Sequence, residues 1–177
     1  MKISRAFILF IIASLMVTLS GCLLQPRSPN DIPPKLRTLY LDTPNPYSPL
    51  SVQLQRLLQS LNVHLTNSAE TAPVTLHIMK SEWSDNIQAI TYSGNATTYS
   101  YTLTTRFELL SRKGKPLIGP TSLRVTRSLI QNANQVYTPN ATRLVKREMI
   151  RTMVTLIYNQ LTSQQTRQML TKTTSRT

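Results

Sequence analysis

The chain has one cysteine, Cys22, so it has no route to an internal disulfide and no cysteine metal site. Histidine is almost as scarce. His64 and His77 are the only two, and neither neighbours a second histidine or a carboxylate at metal-ligand spacing. Acids do not make up the shortfall: seven are scattered over 177 residues, and the only close pair, Glu82 and Asp85, stands at the mouth of a loop where a turn or capping role suits it. No phosphate-cradling glycine loop, serine elbow or histidine pair on a helix occurs. A convergent set of titratable groups is therefore missing, which argues against an enzyme, a metal site or a bound cofactor. No apolar run reaches the ~20 residues of a membrane-spanning helix.

What the chain does have begins at its start. Lys2 and Arg5 precede Ala6 to Leu19, apolar except for Ser14 and Thr18, which fits the ~7–15-residue core of a secretory signal. Leu19, Ser20, Gly21 and Cys22 then resemble the bacterial lipobox. That resemblance implies cleavage between Gly21 and Cys22, a diacylglyceryl group on the Cys22 thiol and an acylated new amino terminus. Several chains on one residue anchor a protein durably, whereas one chain holds it only reversibly. The covalent lipid on Cys22 would be the only non-protein group. Leu23 follows the cysteine, where an aspartate would argue for inner-membrane retention. By that sorting rule the address is the outer membrane of a Gram-negative cell, periplasmic side.

Removal of residues 1–21 leaves 156, enough for one domain with a real core. The mature chain carries 18 basic and 7 acidic residues, a formal charge of +11. In the cytoplasm such a balance would suggest nucleic acid. Export removes that partner and leaves lipopolysaccharide, anionic phospholipid and other envelope polymers. The basic residues concentrate between Arg106 and Arg151. Arginine and lysine on a sheet face or hairpin tip suit phosphate, so Arg106, Lys113, Lys115, Arg124 and Arg127 are the candidate lipopolysaccharide contacts. Arg124 has the opposite parity to Val125 and Arg127, so these charges do not all share one face.

Four prolines between Leu24 and Pro34 describe an extended tether, so residues 22–35 read as lipidated cysteine plus linker. "LRTLYL" (36–41) reads as a first strand. Ser48 and Pro49 open a helix whose Leu50, Leu54, Leu57, Leu58 and Leu61 form one apolar stripe, with His64 near its end. "PVTLHIMKSEW" (73–83) alternates as a second strand. "ATTYSYTLTTRFELLS" (96–111) alternates best of all, with Tyr99, Tyr101, Leu103, Thr105, Phe107 and Leu109 on one face and Ser100, Thr102, Thr104, Arg106 and Glu108 on the other. "SLRVTRSLI" (122–130) is a fourth strand. Gly94, Gly114 and Gly119 fall in the gaps between strands, which makes "YSGN" (92–95) and "RKGK" (112–115) hairpin tips. Asn140 suits the N-cap of a second helix with Leu144, Val145, Met149, Met153, Leu156, Ile157 and Leu161 as its stripe. The Thr-, Ser- and Gln-rich tail, 162–177, reads as disordered. The fold class is α+β: two helices packed on one face of a four-stranded, mainly antiparallel sheet, in the order β-α-β-β-β-α over residues 36–161.

A lipobox cysteine, "IPPKLRTLYLDTPNPYSPLSVQLQRLLQSLNVHL", "YSYTLTTRFELL" and "REMIRTMVTLIYNQL", in that order, resemble the LPS-assembly lipoprotein LptE family from about Ile32 to Leu161. The resemblance implies a non-enzymatic protein seated as a plug in the large outer-membrane barrel LptD, helping that barrel fold and lipopolysaccharide reach the outer leaflet. Relatives often place a basic residue at the hairpin tip that here is Tyr92, Ser93, Gly94 and Asn95, so any ligand contact falls to the five cations named above. The rival reading is another envelope accessory lipoprotein, such as a secretin pilotin or an outer-membrane assembly factor.

Overall fold

The computed structural model describes residues 29–90, 96–132 and 139–172; the signal segment, Cys22 and the tip at 92–95 lie outside the described residues. Two 3-10 turns (Pro29–Asp31 and Pro34–Leu36) lead into β1 (Thr38–Asp42), α1 (Pro49–Ser60), β2 (His64–Thr66), β3 (Val74–Ile90), β4 (Ala96–Ser111), β5 (Pro116–Asn132), α2 (Pro139–Thr162) and α3 (Gln164–Lys172). The strands form one sheet in the order β2-β1-β3-β4-β5. The α+β class stands, with a fifth strand and a third helix added.

Local chemistry fixes the ends of α1. The Ser48 hydroxyl accepts from the Ser51 amide at 3.1 Å and Pro49 occupies the first turn, where its missing N–H costs nothing. At the other end Asn62 adopts φ 58°. The Val63 amide then donates to the Leu58 carbonyl, and the Asn62 amide to that of Gln59, both at 3.0 Å, which is the Schellman pattern, with Val63 and Leu58 both buried in the core. The sharp stop leaves no room for His64 in the helix. It opens β2 instead, its amide donating to the Arg37 carbonyl at 2.7 Å, and the β1-α1-β2 crossover returns parallel to β1.

The β3, β4 and β5 ladders are antiparallel and long; at ~3.3 Å per residue, 17 residues of β3 span about 55 Å. In β4 the sequence alternation is realised: Tyr101, Leu103, Thr105, Phe107 and Leu109 are buried, and Arg106 is exposed on the outer face. Thr105, fully buried on the helix side, keeps its hydroxyl 3.2 Å from that of Ser81. The 112–115 turn is a tight one. The Gly114 amide donates to Ser111 O at 2.8 Å and Gly114 sits at φ 71°, the left-handed residue that closes such a hairpin.

α1 and α2 pack against each other, and α2 against β4 and β5. Leu54 and Leu58 of α1, Met149, Met153 and Ile157 of α2, and Leu39, Leu76 and Leu103 of the sheet share one core. Four expectations are corrected. The tail is not disordered over Gln164–Lys172: α3 buries Leu170 (2% exposed) and Thr166. The linker is not extended throughout, because Pro29–Asp31 forms a 3-10 turn and Ile32 belongs to the core. Asn140 lies inside the first turn of α2, its Oδ1 accepting from Arg143 Nη2 at 2.9 Å, and is not the cap. Gly119 lies within β5, which starts at Pro116; register shifts opposite Phe107 to Leu110 interrupt the alternation there and hide the strand's first third.

Candidate functional site

Because β4 alternates without interruption, its even-numbered side chains all project from the face away from the helices, and pairing extends that face across three strands. Lys80 stands opposite Arg106 and Arg106 opposite Ser122; in the next row Glu82, Thr104 and Arg124 align, then Ser84, Thr102 and Thr126. Hydroxyls dominate beyond the charges, with Thr102 and Thr126 Oγ1 atoms 3.2 Å apart. Lys80 Nζ lies 2.6 Å from Glu82 Oε1, in water on both sides. The face thus offers Lys80, Arg106 and Arg124 beside the carboxylates of Glu82 and, two residues along β4 from Arg106, Glu108, on a wet surface rich in donors and acceptors.

Of the five predicted contacts, Arg106 and Arg124 come together here, on adjacent strands one rung apart. Arg127, paired with Tyr101, is on the opposite, helix-bearing face. Lys113 and Lys115 occupy the β4–β5 turn, about 20 Å along the strand from Arg106 at ~3.3 Å per residue. Cys22 and the Gly21–Cys22 bond lie outside the described residues.

Sequence reading missed Lys80 and a second constellation on the helix side. A bulge at Met79 shifts the parity of β3, so Trp83 joins the face of Leu103. Lys146 of α2 places its ammonium 5.4 Å from the Trp83 ring centre and 5.7 Å from that of Tyr101. Trp83 (41% exposed) also edges a cleft of about 250 Å³ floored by Ile78, Leu103 and Ile150 and capped by Ser48 to Ser51. The 63-residue separation of Trp83 and Lys146 leaves no sequence signal for the pair, although a sole tryptophan in a polar stretch was itself a hint.

The histidines do little to suggest catalysis. His77 Nδ1 lies 2.7 Å from Asp42 Oδ2 on the last rung of the β1–β3 ladder, a contact 35 residues apart in sequence that stitches two parallel strands. Glu82 and Asp85, close in sequence, point to opposite faces of β3: their ladder partners are Thr104 and Tyr101. Among the described residues no three His, Cys, Asp or Glu side chains gather as metal ligands.

This arrangement has relatives. The chain is 26% identical over 147 residues to the LPS-assembly lipoprotein LptE of Pectobacterium atrosepticum, covering 82% of this chain and 78% of that one. Its fold is similar to a crystal structure of a minor lipoprotein from Acinetobacter baumannii (23% identity, TM-score 0.60, 72% of this chain and 91% of that one). It is also similar to rare lipoprotein B from Shewanella oneidensis (16% identity, TM-score 0.60, 73% and 96%). The family model of lipopolysaccharide assembly, LptE, matches residues 36–161, most of the length of the chain, and the protein belongs to the LptE family of LPS-assembly envelope lipoproteins.

Proposed function

We propose that this protein, lipidated at Cys22 and held at the periplasmic side of the outer membrane, acts with an LptD-type β-barrel as its plug and folding partner while lipopolysaccharide passes to the outer leaflet. The role is non-enzymatic and needs no cofactor. One observation carries the reading: the three-stranded outer face, hydroxyl-rich and about 55 Å along its longest strand at ~3.3 Å per residue, is built to sit in a polar environment, as the lumen of a large barrel is. In this reading Arg106 and Arg124, joined by Lys80, meet lipopolysaccharide phosphates, which their shared position on that face supports. Lys113, Lys115 and Arg127 lie elsewhere and would meet it only from another direction.

The test is detergent extraction of outer membranes with an affinity tag after Thr177, then mass identification of what co-elutes in stoichiometric amount. A large LptD-type barrel supports the plug reading. A secretin, or no barrel at all, removes it. The mass of the amino-terminal peptide reports in the same preparation whether Cys22 carries acyl chains.

A further inference from the structure

The pairing register gathers a second set of cations at the end of the sheet where the chain enters. Leu39 pairs with Val74 and Val74 with Ser111, so Arg37, just ahead of β1, and the Arg112–Lys115 turn lie at the same end. α3 packs there too: Arg167 Nη2 donates to the Asp31 carbonyl at 2.6 Å and Lys35 Nζ to the Leu170 carbonyl at 2.5 Å. Between them opens a cleft of about 440 Å³, floored by Pro33, Pro34 and Leu170 and rimmed by Lys35, Arg37 and Arg167. Against these cations stand Asp31, whose carboxylate accepts from Tyr158 Oη at 3.1 Å, and Glu70 in the loop beside Arg112.

Position decides what this end meets. Pro29 is seven residue steps from Cys22, and at no more than ~3.6 Å a step the chain reaches about 25 Å. An anchor on Cys22 therefore holds this end, where the tether joins the domain, close to the leaflet that carries it. We propose that the base of the domain is a docking surface for anionic phospholipid headgroups, with phosphates held among Lys35, Arg37, Arg167 and the Lys113–Lys115 turn and the proline-lined cleft resting on the glycerol and upper acyl region. The proposal rests on the anchor reading for its geometry but not for its measurement. It gives Lys113 and Lys115, separated from Arg106, a different anion from the one expected of them.

The test uses the mature chain with Cys22→Ser, so that no acyl chain contributes, in co-sedimentation with phosphatidylcholine vesicles with and without phosphatidylglycerol. Binding that requires phosphatidylglycerol is expected, falling about fivefold for each basal charge removed in Lys35→Gln/Arg37→Gln/Arg167→Gln. Lys113→Gln/Lys115→Gln, in an exposed turn, gives the same reading where the first variant fails to fold. Lys80→Gln/Arg106→Gln/Arg124→Gln removes equal charge from the outer face and should change binding little. Equal losses from both faces, or binding indifferent to phosphatidylglycerol, would overturn the proposal. The anchor fails separately, by an unmodified Cys22 in the envelope protein, and the barrel reading by co-purification.

Discussion

Gly114 shows how much a single residue can be asked to do by its backbone alone. A β-carbon built there meets nothing within 4 Å, yet φ is 71°, in the left-handed region. Gly114→Ala should therefore cost about 1 kcal/mol with no packing change, read as a lower urea midpoint at unchanged slope. Gly114→Asn should cost less, since asparagine tolerates this region. The turn was legible because glycine between two basic residues at the end of an alternating run has one easy explanation. Trp83 was not, since its partners Leu103 and Lys146 are supplied by other elements and its own face is set by a bulge four residues earlier in the strand. The same holds for His77, whose carboxylate neighbour is contributed by β1.

Elements were legible in proportion to the regularity of their pattern. β4 was read at its observed bounds, 96–111, because no bulge lies on its own strand and both faces differ sharply in polarity. β3 was cut short at 83: the extra residues at Met79 and near Gln88 break the period of two, and Ser84, Asp85 and Asn86 look like a loop. β2 is three residues long, too short to show any period. α3 is polar on most of its surface, with Leu170, Thr166 and Met169 turned to the core and ties through Lys35 and Arg167 to the entering chain. Composition alone therefore argued for disorder. Leu170→Ala separates the two views. It should lower stability by about 2 kcal/mol, the lower end for a buried leucine, in urea unfolding of the mature chain; a frayed tail would register no change.

Across the whole molecule the charge is divided by location, a division invisible in a net of +13. Arg106 and Arg124 belong to the outer face, Lys35, Arg37 and Arg167 to the base, Lys146 and Arg127 to the helix side. Under the proposed function Arg106→Glu/Arg124→Glu should weaken lipopolysaccharide binding by at least about tenfold at low salt, with an unchanged melting temperature, and the difference should shrink as salt screens exposed charge. Titration against purified lipopolysaccharide at two ionic strengths checks both halves. An unchanged affinity would take the outer face out of the ligand path.

The helices do not cover the sheet they pack on. From Met79 to Ile87 every residue of β3 is exposed, Ile87 by 57%, and beyond the short pairing with β1 that strand has no neighbour on its other side among the described residues. Protection from solvent is consequently graded along a single strand. Amides from Val74 to Ile78, beneath Phe107 and Leu109 and beside β1, should exchange with deuterium only on global unfolding. Those past Ser81 should open on their own at much lower free energy. The free protein would thus be firm at the base and pliable at its far end, able, under the proposed function, to adjust the curvature of the distal ribbon to a barrel wall.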